Sequence, residues 1–291
     1  MKEKLIYNIV YMFFKLLAQL PLRVLYVLSE IVYIIVYHIA RYRRRVVRKN
    51  LEMVFKDKTT TEIISIEKKY YHHLCDVIFE TVKLLHISDK EIDRRVEVTN
   101  GDLIESLAQD GRSFVVFMGH YANWEWVQAI VRHCKQPEKF GQIYRRLRNP
   151  VMDRLMLKIR SRFGNISIEQ RGAVRTLLAL YKQQQMVIGF ISDQRPLGDN
   201  LPHWTTFMGQ DTAYFVGGEN IGAKIKSHFI YLDIEKVKRG HYRITFVEMD
   251  ASDINGENPY TRKFLQMLEN TIRREPSLWM WSHNRWKAKR K

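Results

Sequence analysis

The amino-acid sequence predicts an α/β fold in which helices flank a mostly parallel sheet, with a membrane-associated helical segment before it. The clearest strand signal is SFVVFMG (113–119), a short apolar run that ends in glycine, as expected for a buried parallel strand. Helical periodicity follows in HYANWEWVQAIVRHC, and GQIYRR (141–146) and MVIGFISDQ (186–194) are predicted as further strands. The third observation is an apolar stretch at residues 5–40. Strands that alternate with helices are typical of layered α/β proteins.

The apolar stretch at residues 5–40 is divided by Pro21 into two predicted helices. Charged residues such as Lys15 and Arg23 interrupt them, so neither offers a clean span of about 20 apolar residues. No small-residue cleavage site follows, which argues against a secretory signal. The next segment, RYRRRVVRK (41–49), is basic at six positions, which favours an anionic membrane surface and marks the cytoplasmic side. We therefore expect membrane helices that cross the bilayer or lie in its interface; the alternative is a pair of buried core helices.

The remaining elements continue the alternation of helices and strands. Helices are predicted over 50–95, from Pro150 to about Phe163, over 172–184, over 214–226 and over 258–274. Two strands, SHFIYLDIEKV and HYRITFVEM, flank a turn at Arg239-Gly240. The sequence contains no long linker and no internal repeat.

The composition excludes several classes of protein. In 291 residues, 46% are hydrophobic and 27% are charged, which suits a packed core and not wholesale disorder. A mean hydropathy of −0.32 excludes a polytopic transporter. The two cysteines, Cys75 and Cys134, are too few to stabilise a chain of this size through disulfides; they fit a reducing compartment or a protein that is indifferent to redox conditions. The net charge of +17 indicates an anionic partner: nucleic acid, an acidic membrane or an acidic carrier.

The motif HYANWE places His120 directly after the first predicted strand. Residues five apart lie about 140° apart on an ideal helix, so His120 and Glu125 would not face each other within one. We expect His120 in the strand–helix turn, Asn123 as the cap, and Glu125 in the first helical turn. Glu125 would then orient the imidazole, and the other ring nitrogen would act as a base.

This pair lacks a protein nucleophile, which indicates that the nucleophile arrives with the substrate as an alcohol. The alternative is a turn histidine beside an unrelated surface glutamate. Metal binding is disfavoured because no third ligand stands at a useful spacing from His120 and Glu125.

Two further motifs and the tail complete the candidate site. A strongly basic segment consists of GQIYRRLRNP (141–150) and the basic residues that follow it up to Arg162. These side chains could hold phosphates or stabilise an oxyanion, or simply form a solvated face. In ISDQRP (191–196), Asp193 ends a predicted strand at the edge where parallel sheets bind ligands. It could orient a cation or a substrate hydroxyl, or only form a turn. The tail WMWSHNRWKAKRK (279–291) has an alternative interpretation as aromatic packing followed by a solvated basic end.

Taken in the order HYANWE, IYRRLRNP, SDQRP and WSHNRWK, the motifs resemble those of the bacterial lipid A late (secondary) acyltransferases. These form the lauroyl/myristoyl acyltransferase branch of the lysophospholipid acyltransferase-like superfamily, and RKNLEMVF (48–55) is similar to a segment of theirs. The resemblance extends over roughly residues 5–288 and implies a glycerolipid acyltransferase-like fold. On this basis residues 1–45 would form anchoring helices and residues 46–291 an acyltransferase catalytic domain.

The resemblance implies transfer of a fatty acyl group, usually from acyl carrier protein, to a hydroxyl of an anionic, acylated glucosamine lipid. The reaction would take place at the cytoplasmic face of the inner membrane, with the acyl thioester as co-substrate and no metal or other cofactor. The HX4E motif would supply a catalytic dyad, His120 and Glu125, with Arg160 and Asp193 also implicated. Arg146 stands where many relatives carry Pro. The substrate-binding positions implied are Tyr144, Arg145, Asn149, Arg171 and Gln194.

Two alternatives remain open from the sequence. One keeps the chemistry but changes the acceptor to an amino-acid lipid, a glycolipid or a lysophospholipid. The other is a non-catalytic, basic membrane- or nucleic-acid-binding protein, which explains the charge but gives the strand–His–Glu arrangement no purpose. The sequence contains no nucleic-acid-binding motif, and its aromatic residues do not alternate with basic residues as they do in segments that stack on RNA bases. We therefore expect no nucleic-acid partner.

Overall fold

The computed structural model describes residues 2–135, 139–196, 201–288 and 290. Its strands are β1 (Val96–Val98), β2 (Phe114–Met118), β3 (Lys139–Tyr144), β4 (Ile166–Glu169), β5 (Met186–Ile191), β6 (Trp204–Phe207), β7 (Gln210–Ala213), β8 (His228–Lys238) and β9 (His241–Glu248). Its α-helices are α1 (Lys2–Gln19), α2 (Leu22–Tyr33), α3 (Arg44–Val54), α4 (Thr60–Lys83), α5 (Asp89–Asp93), α6 (Gly101–Leu107), α7 (Pro150–Arg160), α8 (Ala173–Tyr181), α9 (Gly217–Lys224) and α10 (Pro259–Arg274). Helix α2 continues as a π-helical segment, Ile34–Ile39.

Seven strands form one sheet in the order β1-β9-β8-β2-β5-β3-β4, and β6 and β7 form a separate hairpin. Strands β8, β2, β5, β3 and β4 are mutually parallel, whereas β9 runs antiparallel to β8. The predicted α/β class with a mostly parallel sheet is therefore confirmed. Strand β2 is buried at all five positions, as expected for a central strand covered on both faces.

Different elements cover the two faces of the sheet. On one face, the ring of Phe117 in β2 stacks on Phe264 of α10 at 5.3 Å between centroids. On the other face, Trp126 packs edge-on against Tyr242 of β9, whose hydroxyl donates to Glu80 of α4 at 2.7 Å. The sheet is thus the middle layer of three.

Some elements differ from the prediction. The segment after His120 forms a 3-10 helix, Trp126–Arg132, and not the α-helix that its periodicity indicated. Strands β1, β4, β6 and β7 have no equivalent in the prediction because they are three or four residues long and most of their side chains are partly exposed, so no period-two pattern develops.

The register of β2 and β5 sets the position of the site. Met118 pairs with Ile191 in the parallel ladder, at the carboxyl end of each strand. His120 and Asp193 each follow two residues later, so they leave the same edge of adjacent strands. This is the edge at which open α/β sheets bind ligands.

Helices α1 and α2 each have one buried and one exposed side. Leu25 and Tyr33 of α2 are buried, and Ser29 donates to Asp76 of α4 at 2.7 Å. The opposite sides of α1, α2 and the π-helical segment expose a row of large apolar side chains: Leu5, Ile6, Ile9, Met12, Phe13, Leu16, Val24, Val27, Ile31, Ile34, Ile35 and Ile39. Leu22–Ile39 is long and apolar enough to cross a membrane, and 28% of it is buried. The alternative of fully buried core helices does not describe this segment.

Candidate active site

His120 forms a close pair with Asp193 at the carboxyl edge of the sheet. The imidazole Nδ1 lies 2.6 Å from Asp193 Oδ1, and the backbone N–H of His120 donates to Oδ2 at 3.0 Å. The indole Nε1 of Trp279 donates to the same Oδ2 at 2.8 Å. Three donors therefore hold one carboxylate that is only 1% exposed.

These contacts determine the charge of Asp193. Burial by itself raises the pKa of this carboxyl group, because the charged form loses its hydration. The charge of His120 and the hydrogen bonds from His120 and Trp279 outweigh burial and lower the pKa to about 2. Asp193 is thus a carboxylate at neutral pH, and Nδ1 of the imidazole carries the proton that it accepts.

In the neutral imidazole the other ring nitrogen, Nε2, is then the acceptor, and it is the candidate base. It faces the side-chain amide of Gln194 at 3.4 Å, and the ring of Trp124 meets the imidazole edge-on at 5.5 Å between centroids. The His120 side chain is 19% exposed, so a substrate can reach it from outside.

The structure corrects the expected contact between His120 and Glu125. Glu125 pairs with Arg160 at the end of α7, where Nε donates to one carboxylate oxygen at 2.9 Å and Nη2 to the other at 2.5 Å. Glu125 is buried, and a buried carboxylate requires a cation or several donors. The Arg160 guanidinium supplies both the charge and two donors. The imidazole of His120 instead contacts Asp193, which follows the neighbouring strand β5.

The turn that carries His120 is held in an uncommon conformation. Ala122 has a φ of +49°, in the left-handed region that disfavours a residue with a Cβ. Its N–H donates to the Leu278 carbonyl at 3.0 Å, and its own carbonyl accepts from Nε2 of His73, also at 3.0 Å. Asn123 accepts from the N–H of Trp126 at 2.9 Å, but the N-cap of the 3-10 helix is Glu125, where the sequence predicted Asn123 as the cap and Glu125 in the first helical turn. The turn is thus anchored on both sides, and this fixes where His120 points.

The five predicted substrate-binding residues are not all gathered at this pair. Gln194 faces the imidazole, whereas Arg145 and Arg171 lie exposed. Tyr144 ends β3, and burial together with Asp153 and Glu169 raises its pKa. Asn149 caps α7, where its Oδ1 accepts from the N–H groups of Val151 and Met152 at 3.0 and 3.1 Å.

Three residues of the tail contribute to the site beyond what the sequence analysis expected. Trp279 donates to Asp193, and His283 accepts from the N–H of Arg195 at 3.1 Å. Burial and the nearby cations lower the pKa of His283 to about 4, although the charge of Asp193 acts to raise it. The WSHNRW motif is the signal for these residues in the sequence, but its aromatic content also fits simple packing.

Arg285 is the most unusual of these residues. It is 2% exposed, and its three guanidinium nitrogens have no hydrogen-bond partner among the described residues. Burial lowers its pKa to about 10, opposed by the charge of Asp193 and aided by that of Arg195. Burying a cation without hydrogen-bond partners costs free energy unless an opposite charge lies nearby. The carboxylate of Asp193 is such a charge, since it raises the pKa of Arg285.

A comparison with known proteins adds the family. No curated protein matches the chain. A family model, described as bacterial lipid A biosynthesis acyltransferase, matches residues 2–288. The match contains the two N-terminal helices and all four motifs that carried the resemblance, through the WSHNRW segment. The chain therefore belongs to the bacterial lipid A biosynthesis acyltransferases.

Proposed function

We propose that this protein moves a fatty acyl chain from an acyl thioester to a lipid hydroxyl, with His120 as general base and Asp193 as the carboxylate that holds it. The observation that carries this proposal is the 2.6 Å contact between Asp193 Oδ1 and Nδ1 of His120. It directs the proton to Nδ1 and leaves Nε2 as an acceptor towards the outside.

The reaction needs an acyl thioester, a lipid hydroxyl and a group that accepts the hydroxyl proton. Nε2 of His120 takes the hydroxyl proton as the substrate oxygen attacks the thioester carbonyl carbon. The imidazolium that forms is stabilised by the Asp193 carboxylate, as in a catalytic triad. The tetrahedral intermediate collapses, the carbon–sulfur bond breaks, and the thiolate leaves and takes the proton from Nε2. The acyl thioester serves as co-substrate, and neither a metal nor a redox cofactor takes part.

Arg160 is the proposed stabiliser of the oxyanion. Its contacts with Glu125 use Nε and Nη2, so Nη1 has no partner among the described residues. A guanidinium held rigidly by one carboxylate is pre-organised to donate hydrogen bonds to a second anionic oxygen. In this scheme Glu125 acts on the reaction through Arg160.

The acyl donor in this proposal is acyl carrier protein. Donor and acceptor are both acidic, and the net charge of +17 favours their approach. Such attraction acts mainly on the association rate and is screened by salt. We therefore expect the KM for the carrier to rise with ionic strength while kcat changes little.

The acceptor in this proposal is a hydroxyl of a lipid A precursor at the cytoplasmic face of the inner membrane. The apolar row on α1 and α2 supports an anchor that lies in the membrane interface. Glu30 of α2 is ion-paired with Arg239 at 2.8 Å, and Tyr26 of α2 donates to buried Glu80 at 2.8 Å. If α2 left the domain to cross the bilayer, both contacts would break. Arg41, Arg45 and Lys49 are exposed beside this row and would meet anionic headgroups.

The direct test is acyl transfer by His120→Ala in membranes supplied with acyl-carrier donor. Loss of transfer, with the melting temperature retained, supports the proposal, whereas near-wild-type transfer refutes it. Mass spectrometry of total lipids from a deletion strain then identifies the acceptor, because the lipid that loses one acyl chain is the substrate. An amino-acid lipid or a lysophospholipid that loses the chain would replace the lipid A precursor in the proposal.

A further inference from the structure

Helix α7 and the loop before it form an exposed surface that is basic and carries one large apolar side chain. The loop, 145–148, links β3 to α7. The exposed residues of this surface, which we call the α7 surface, are Arg145, Arg146, Leu147, Arg148, Arg154 and Lys158. Asp153 is the one acidic residue between positions 145 and 160, and it is buried. The α7 surface therefore presents five cations together with Leu147.

The α7 surface lies beside the apolar row of α1. The guanidinium carbon of Arg154 lies 4.0 Å from the ring centroid of Tyr7, and the ammonium of Lys158 lies 5.4 Å from that of Tyr11. The two tyrosines are about one helical turn apart, and so are the two cations, which means that α1 and α7 run parallel, side by side. The start of α7 and the loop before it are thus next to the start of α1, where the exposed apolar row begins at Leu5.

The loop before α7 is fixed by hydrogen bonds although Leu147 is exposed. The N–H of Leu147 donates to Oδ1 of Asp153 at 2.7 Å, and Nε of Arg146 lies 3.8 Å from the other carboxylate oxygen. Asn149 ends the loop by capping α7. Leu147 is nevertheless 43% exposed. An apolar side chain that is displayed among cations is typical of segments that lie in the interface of an anionic membrane.

We propose that the α7 surface is a second membrane contact, in which Leu147 enters the bilayer interface and the five cations bind anionic headgroups. An anionic lipid surface complements both the charge of this surface and its apolar side chain. The inference deepens the proposed function and rests on it, because it extends the contact made by α1 and α2. Loop 145–148 follows β3, the neighbour of β5, so the bilayer would reach the edge of the sheet that carries His120 and Asp193. A lipid acceptor would then approach His120 without leaving the interface.

A chemically similar patch on α8 provides a matched control. Val174 is 51% exposed, and the residue after it is the exposed Arg175. The chain crosses outward from β3 to β4 through α7, and back from β4 to β5 through α8. Right-handed crossovers in opposite directions place their helices on opposite faces of a sheet. Val174 therefore lies on the face opposite α7, and we expect it to make no contact with lipid.

The test attaches a polarity-sensitive fluorophore to the full chain at Leu147→Cys or at Val174→Cys. Cys75 and Cys134 are buried, and labelling of the unsubstituted chain measures their background. The labelled proteins are reconstituted into vesicles of anionic phospholipid, with and without brominated acyl chains. We expect the label at position 147 to emit at shorter wavelength and to be quenched by the brominated lipid, and the label at position 174 to do neither. A label at position 147 that stays in water on vesicle-bound protein overturns the proposal, and so does equal quenching at both positions.

A kinetic measurement tests the same contact without a label. Leu147→Glu is expected to raise the KM for an acceptor embedded in vesicles by about tenfold, since it removes an apolar contact and adds a repelled charge, while kcat is retained. Val174→Glu should leave both constants unchanged. Equal KM values for Leu147→Glu and wild type would contradict the proposal.

The label experiment also separates this inference from the proposed reaction, because it needs no catalysis and can be repeated in the His120→Ala protein. Quenching at position 147 in a protein that transfers no acyl chain even with His120 present supports the membrane contact and counts against the reaction. Transfer by a protein whose label at position 147 stays in water supports the reaction and refutes the contact. A shift of that label on addition of acyl carrier protein, and not of vesicles, would assign the α7 surface to the carrier and overturn the inference.

Discussion

Two buried carboxylates, Asp193 and Glu125, bind different partners at the HYANWE segment. Asp193 accepts from the ring and the backbone of His120 and from Trp279, whereas Glu125 pairs through both oxygens with Arg160. Glu125 is five residues from His120 in sequence, and Asp193 is 73 residues away. Proximity in the chain therefore identifies the wrong partner for the imidazole, because adjacent parallel strands place their following residues together.

The largest expected effect is that of Asp193→Asn. The amide cannot stabilise an imidazolium, and it permits the wrong tautomer of His120. The corresponding change in a catalytic triad lowers kcat about 10⁴-fold, and we expect a loss of that order here. Single-turnover acyl transfer by the purified protein measures it. A loss smaller than that of Glu125→Gln would show that the acid nearer in sequence is the functional partner.

Glu125→Gln is expected to act through Arg160 and to cost less, about 10²-fold in kcat, which is typical of a disturbed oxyanion site. Arg160→Lys removes the two-pronged contact while keeping the charge, and should give a similar loss. Since both changes break one ion pair, the double variant should be no worse than the single variants. Losses that multiply would mean that the two side chains act separately.

Arg285→Met probes the surroundings of Asp193. The change removes a buried cation that lacks partners among the described residues, and such replacements are often neutral or stabilising by about 1–4 kcal/mol. We expect the free energy of unfolding in urea to stay equal or rise while kcat falls, with Arg285→Lys closer to wild type. A decrease in stability of several kcal/mol would instead indicate that the guanidinium is paired in the native protein.

The smallest effect concerns His283 and pH. Its pKa is about 4 in the folded protein and about 6.5 when unfolded, so between these values only the unfolded chain binds the proton. Stability is therefore expected to fall as the pH decreases from 6.5 towards 4, and to be unaffected by His283 above that window. The difference in unfolding free energy between wild type and His283→Asn, measured across this range, should change in that direction. A difference that does not vary with pH would contradict the assignment.

Much of the site can be predicted from the sequence, because its position depends on local patterns. The runs SFVVFMG and MVIGFISDQ are apolar enough to identify as strands, and the residues that follow them are His120 and Asp193. The partners of these residues do not follow, since the order of strands in the sheet is a tertiary property.

The sequence by itself determined the fold class, the family and the edge of the sheet that carries the candidate site, because hydrophobic periodicity and motif order are properties of the chain alone. Only the tertiary structure decided that β5 lies next to β2. This neighbourhood lets His120 hydrogen-bond to Asp193, while Glu125 pairs with Arg160. It also decided that Arg285 is buried. The physical reason is that burial, ion pairing and open space depend on packing between segments far apart in the chain.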